Sequence, residues 1–172
     1  MNDNIVLSVR DLEVNFYNNE RCNRVLRGVS FQLQKGKIMC IVGESGCGKS
    51  VTANSIMGLL PDLSRIEKGE IHFVHNGRDI RIDQLKRKGK EMRQIRGDGI
   101  SMIFQDPMTS LNPVLTVGEQ IMEVIENHNT SLSRQEARKW AENMLERVGI
   151  PAERFGEYPH QFSGGMKQRV VI

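Results

Sequence analysis

A glycine-rich octet, Gly43-Glu44-Ser45-Gly46-Cys47-Gly48-Lys49-Ser50, separates a continuously apolar run, Ile38–Val42, from a helix-compatible stretch. It fits the pattern G-x-x-x-x-G-K-[ST] in the order strand, turn, helix that gives the pattern its meaning. Glycines let successive backbone N–H groups converge on phosphate oxygens without Cβ clashes. The helix that follows turns its positive end toward the anion. A lysine at position 49 then reaches the β- and γ-phosphates, and the Ser50 hydroxyl suits Mg²⁺. Nucleotide binding is therefore the first expectation, with Gly43, Glu44, Ser45, Gly46, Cys47, Gly48, Lys49, Ser50 and Val51 as the cradle.

The run before the octet lacks alternation, which predicts a strand buried on both faces of a parallel sheet. Gly99–Phe104 reads the same way. Residues 5–16, 25–34 and 69–75 carry partial period-two alternation and predict half-buried strands, and Asn76-Gly77 predicts a turn. The helix after the octet is expected to run to about Leu60, before Pro61. Two further helices are predicted. One covers 116–127 with Thr116 and Glu119 as a capping box, and one covers 133–148 with Ser133 as N-cap and Glu136 at N3. In the second, Ala137, Trp140, Ala141, Met144, Leu145 and Val148 recur at helical spacing. Trp140 is read as core, and Gly149 and Pro151 as the stop.

From Arg78 to Arg96 there are eight basic residues against three acidic ones. No aromatic residue interleaves to stack on bases, so this is read as a solvated face or loop rather than a nucleic-acid patch. The formal net charge of the whole chain is only +3, which does not by itself argue for nucleic acid. Cys22, Cys40 and Cys47 fit no zinc spacing, and free thiols in a reducing compartment are expected. The four histidines are read as ordinary polar positions. No run approaches the roughly 18 apolar residues of a membrane span, and the polar start is not that of a secretory signal.

Two later segments narrow the class of nucleotide-binding protein. Phe162-Ser163-Gly164-Gly165-Met166-Lys167-Gln168-Arg169 places a hydroxyl and flexible amides at the start of a helical run, a second anion-reading element. Two such elements in one chain suggest half-sites completed by dimerisation. Ser163 alone would be an ordinary N-cap. Gln105, in Ile103-Phe104-Gln105-Asp106-Pro107, follows an apolar run, where it could reach Mg²⁺ or an attacking water or be a plain strand-end residue.

With these segments the chain resembles the ATP-binding subunits of ABC transporters. Ser163-Gly164-Gly165 resembles the family signature that completes the site in trans, and Gln105 matches the Q-loop glutamine. Phe16 aligns with the aromatic that stacks on adenine, where the plain alternative is a strand core residue. The runs VGESGCGKS, IFQDPMTSLNP, VGEQIMEVI and YPHQFSGGMKQRVVI resemble the D-type ATPase subunits of dipeptide and oligopeptide importers. Nickel and glutathione importers share much of this wording. Phe162 stands where leucine is common in the signature, Met166 where glutamine is common, and Val51 where a hydroxyl residue is frequent.

The resemblance implies an α/β P-loop NTPase fold of the ABC ATPase type, with a mixed β-subdomain, a parallel core sheet and a helical subdomain. Residues 1–104 and 163–172 would form the nucleotide-binding core with its β-subdomain, and 105–162 the Q-loop and helical subdomain. It implies ATP and Mg²⁺ as cofactors, the latter held through Ser50 and Gln105. Implied partners are a second ABC ATPase subunit, identical or homologous, transmembrane permease subunits, and indirectly a substrate-binding protein, with no nucleic acid. The location would be cytoplasmic, on the inner face of the cell membrane.

The family's next elements, an apolar strand ending in Asp-Glu (Walker B), a D-loop and a switch histidine, would follow the signature. The 172 residues do not contain them. The chain is therefore expected to be the N-terminal piece of a longer ATPase subunit, incomplete at the C-terminus, able to bind ATP but not to hydrolyse it alone. A non-catalytic nucleotide-binding fragment is the compatible rival. A DNA-associated ABC ATPase is disfavoured, because the stretch between Gln105 and Ser163 leaves no room for long coiled coils.

Overall fold

Strand-forming residues dominate the first third of the chain, and in the computed structural model the runs 5–16, 25–34 and 69–75 all lie in strands. The structure describes residues 4–18, 21–104 and 110–172. These fall into two compact units, Met1–Ser101 and Met102–Ile172.

In the first unit, β1 (Ile5–Asn18), β2 (Arg21–Gln34), β3 (Ser64–His75) and β4 (Arg78–Arg81) form one antiparallel sheet in the order β2-β1-β3-β4. Alternation sorts its faces. Leu33, Leu7, Phe73 and Ile80 lie in one cross-strand row and Phe31, Val9 and Ile71 in the next. Val9, Ile71 and Phe73 belong to the core and Leu7, Phe31 and Ile80 pack against it, in one cluster with Ile56, Leu60, Ile82, Met92 and Ile95. The opposite face is polar: Gln32, Ser8, His72 and Arg81 form its row. There the His72 ring lies 3.0 Å from Asp79 and 3.1 Å from Glu70. Arg81 pairs with Asp83 at 2.8 Å and Glu70 at 3.1 Å.

Two local devices shape the sheet. Asn76 (φ 50°) and Gly77 (φ 73°) make the tight left-handed turn between β3 and β4. In β1 the register against β3 shifts between Arg10 and Glu13, so a bulge at Asp11 (φ 45°) lies opposite Gly69. A Cβ at Gly69 would come within 2.6 Å of the Arg10 and Asp11 carbonyl oxygens. Ser30 closes the bulge from β2 by accepting the Asp11 N–H at 2.8 Å.

Helix α1 (Lys49–Ile56) is shorter than predicted. Gly58 takes a left-handed φ of 60°, and its N–H and that of Leu59 return to Ser55 and Asn54, which closes the helix before Pro61 is reached. A larger difference concerns the two apolar runs. Residues 38–42 and 100–104 carry no strand, and Ile38 and Val42 are 96% and 87% exposed. A strand of this type needs partners on both sides for its N–H and C=O groups. Among the described residues no strand lies beside either run.

The basic stretch is only partly the solvated face expected. It holds β4, a short helix α2 (Lys90–Gln94) and a π-helical turn, Ile95–Gly99. Met92 and Ile95 anchor it in the core, and Arg87 and Arg96 are half-buried against backbone carbonyls.

The second unit is built on α3 (Val117–His128) and α4 (Arg134–Arg147), with α5 (Gly164–Val171) following two 3₁₀ turns. Both expected capping boxes form, Thr116 with Glu119 and Ser133 with Glu136. A cap of this kind contributes about 1 kcal/mol. Gly149 (φ 71°) ends α4, with the Ile150 N–H returning to Leu145. Ala137, Ala141 and Leu145 form the buried stripe of α4 and meet Val117, Met122 and Ile125 of α3. Trp140 is a correction: it is 41% exposed, because the stripe at spacing four passes beside it. Residues 163–172, assigned on sequence to the nucleotide-binding core, pack in this unit instead. Met166 and Val170 face its apolar cluster, and Arg169 donates at 2.9 Å to the Val148 and Gly149 carbonyls at the end of α4.

Candidate functional site

The octet forms an exposed loop leading directly into α1. Gly46 (φ 79°) and Gly48 (φ 100°) are both left-handed, a conformation that costs other L-residues about 1–2 kcal/mol. Gly48 is also confined in space. A Cβ there would come 2.6 Å from Leu26 Cδ2 and 3.6 Å from the Val25 carbonyl. The loop is thus seated against β2, a contact that the motif by itself does not reveal. A Cβ at Gly43 would meet Cys47 Sγ at 2.7 Å, so a larger residue there would displace the Cys47 side chain.

Gly48 serves as the N-cap of α1 with no side-chain cap, and the first turn holds no acidic residue. A side-chain oxygen is the usual partner for such amides. Their alternative partner is an anion, which the helix dipole favours. Thr52 secures this end from inside. It is buried, and both its N–H (2.9 Å) and its hydroxyl (3.0 Å) donate to the Gly48 carbonyl. Lys49 folds back on the loop, its ammonium donating to the carbonyls of Gly43 (2.8 Å) and Glu44 (2.7 Å). Ser50 is exposed on the first turn, and Val51 packs partly against the core. These features fit a phosphate group: amides without a competing carboxylate, a loop turned by two left-handed glycines, and a cation held on carbonyls it can leave.

Phe16 is half-buried on β1, paired with Asn23 and Ser64, and packed against the sheet core. Gln105 lies outside the described residues. Ser163, Gly164 and Gly165 are exposed at the start of α5, where the Ser163 hydroxyl accepts the Met166 N–H at 3.3 Å.

Arg154 holds this turn from below. Its guanidinium stacks 4.5 Å from the centre of the Phe162 ring, lies 3.2 Å from Met166 Sδ and donates to the Gln161 carbonyl at 3.0 Å. Phe162 and Met166 are the two positions where the motif departs from its common wording, and they share this one partner. Cation–π and S–H-bond contacts of this kind are individually weak, so their value here is directional. Sequence reading missed Arg154, Arg87 and Arg96, whose partners are set by tertiary structure.

The profile of the family described as ABC transporter matches residues 26–172, from β2 through the octet to the end of α5. The chain belongs to the ABC transporter family. The curated relatives of this ABC protein include a dipeptide transport ATP-binding protein of Bacillus subtilis, 54% identical over 97% of this chain. An oligopeptide transport ATP-binding protein of the same organism is 48% identical over 97% of this chain. A glutathione import ATP-binding protein of Escherichia coli O157:H7 is 45% identical, again over 97%. The chain spans about half the length of the first two, 49% and 46%, and 27% of the third. Among solved structures, a dimeric bacterial ABC transporter cassette matches with a TM-score of 0.80 and 28% identity, covering 96% of this chain and 67% of that one. A dimeric post-hydrolysis cassette bound to ADP and phosphate matches with a TM-score of 0.78 and 27% identity, covering 96% and 66%. The fold is therefore that of an ABC ATPase cassette, and family membership carries nucleotide binding with it. No helix among the described residues is long and apolar enough to cross a membrane.

Proposed function

We propose that this chain forms the nucleotide-binding part of an ATPase subunit that powers an ABC importer for dipeptides or oligopeptides. The observation that carries the reading is the uncapped start of α1 behind a loop in which Gly46 and Gly48 hold left-handed backbone conformations. The names of the relatives supply the transport context.

In this reading the amides of Gly43–Ser50 hold the phosphates of ATP, and Lys49 moves from the Gly43 and Glu44 carbonyls to the β- and γ-phosphates. Ser50 and Gln105 hold Mg²⁺, which neutralises phosphate charge when bound. Val51 contributes its backbone amide, and Phe16 offers a ring to adenine. Ser163, Gly164 and Gly165 present a hydroxyl and amides to the nucleotide of a second ATPase subunit, identical or homologous. Permease subunits in the membrane would receive the closing motion, with a substrate-binding protein delivering the peptide. The subunit would sit on the cytoplasmic face of that membrane.

Titration calorimetry of the 172-residue chain with ATP and Mg²⁺ tests the binding half. Saturable binding supports it, and its absence removes the reading. Uptake of labelled dipeptide, glutathione and nickel by cells with and without the gene tests the cargo. Loss of glutathione uptake alone would favour the second reading, for which the glutathione relative speaks.

A further inference from the structure

Two guanidinium groups hold the end of α1 that lies away from the phosphate loop. Arg96 donates from Nε to the Met57 carbonyl at 2.8 Å, and from Nη2 to Gly58 at 2.8 Å and to Arg87 at 3.0 Å. Arg87 donates onward to Leu60 (3.1 Å), Pro61 (3.0 Å) and Ser64 (2.7 Å). Every carbonyl in this set belongs to the segment joining α1 to β3, to the first residue of β3 or to the clasp itself. The fit around Arg96 is close, since a Cβ at Gly58 would lie 3.0 Å from Nη2.

The charge is placed where the helix needs it. The last turn of α1 contains no basic residue of its own, and a cation near a helix C-terminus complements the dipole. Arg96 is delivered by the π-helical turn Ile95–Gly99, whose neighbours Met92 and Ile95 are buried in the same core as Ile56 and Leu60. At its other end α1 is fixed by the Gly48–Leu26 contact. The run 38–42 that enters the loop is not held in a sheet. A two-turn helix entered by an unpaired segment takes its direction from its buried face, Thr52, Ser55 and Ile56, and from what holds its two ends.

We propose that Arg96, seated by Arg87, is a positioning residue of the nucleotide site. It sets the axis of α1, and so the direction in which the amides of residues 48–50 point. This rests on the nucleotide reading above. It has a reciprocal consequence: if the clasp favours nucleotide binding, bound nucleotide must favour the clasp by the same factor. A guanidinium that merely fastened the segment would add stability and leave affinity alone.

The test uses the 172-residue chain and a fluorescent ATP analogue with Mg²⁺, at a temperature well below unfolding. Arg96→Ala is expected to weaken binding about tenfold. Arg96→Lys should fall between, because a point charge cannot span three carbonyls as the planar fork does. Arg93→Ala, an exposed neighbour on the same segment, should bind as the unsubstituted chain does. Hydrogen exchange on the unsubstituted chain supplies a readout that survives a folding failure of the alanine variant. Nucleotide should slow exchange in residues 56–60 and 92–97 as well as in the loop. Equal affinity of the Arg96 variants, an equal loss in Arg93→Ala, or exchange protection confined to the loop would overturn the proposal. No binding by the unsubstituted chain would overturn the nucleotide reading and this inference together.

Discussion

The Lys49 ammonium lies 2.8 Å from the carbonyl oxygen of Gly43, six residues back at the opposite end of the loop. With Glu44 as a second acceptor, the lysine closes the loop on itself. Binding a phosphate then exchanges two neutral acceptors for an anionic one, which adds the Coulomb attraction of opposite charges to the hydrogen bonds. Lys49→Ala should lower ATP affinity by at least about tenfold, because a hydrogen bond to a charged group contributes about 1.5–3 kcal/mol. Calorimetry of the two chains measures it, and unchanged affinity would remove Lys49 from the site.

Gly48→Ala should be costly in both stability and binding. The substitution puts a Cβ at φ 100° and within 2.6 Å of Leu26 Cδ2. The backbone cost alone is about 1–2 kcal/mol, and the Leu26 side chain must also shift. Urea denaturation should give a lower midpoint, and the further loss caused by Gly48→Ala should be smaller in a Leu26→Ala background than in the parent. A midpoint equal to that of the parent would show that the loop is not seated on β2.

Asp83 makes stability sensitive to acid. Burial pushes its carboxyl up, but the Arg81 guanidinium and the Ile71 N–H, at 2.8 Å, outweigh this and hold it below the usual carboxylate range. A depressed native pKa contributes stability that is present above the unfolded value and lost as pH falls through the native one. Asp83→Asn should therefore be less stable than the parent at neutral pH, on the order of 1 kcal/mol. The gap should close on the acid side of the ordinary carboxylate range. Thermal melts of both chains across pH provide the check, and a gap that persists in acid would contradict it.

Gly118 tests the second unit. A Cβ there would overlap the Phe155 ring, which is buried with Val117 and Leu145. Gly118→Ala should destabilise by about 1–3 kcal/mol, the usual range for overpacking. Proteolysis should then cut within 117–156 before it reaches the β-sheet unit. Simultaneous cleavage of both units would argue against their separate cores.

What could be read in advance was whatever residues encode locally. Thr116 with Glu119, Ser133 with Glu136, the Asn76-Gly77 turn and the glycine octet each act over four to eight positions, and the structure contains each where expected. The runs 38–42 and 99–104 predict strands because apolar composition encodes a demand for burial. Whether a partner strand meets that demand is decided elsewhere in the chain. The basic stretch misled for a related reason. Arg87 and Arg96 find all but one of their acceptors 23–39 residues away in sequence, which charge patterning does not encode. Trp140 shows the limit of periodicity, since helical spacing names a broad stripe and packing against α3 selects Ala137, Ala141 and Leu145 from it.

The close approach of Gly69 to the Asp11 bulge bears on how the chain finds its native pairing. Sliding β3 by one residue against β1 would bring Lys68 or Glu70 under the bulge. Either would drive a Cβ into the backbone oxygens that Gly69 alone clears, and would turn the apolar residues of β3 away from the core face they share with β1. A single missing side chain thus excludes the nearest misfolded alternatives during the search for the native sheet, before any ligand is present.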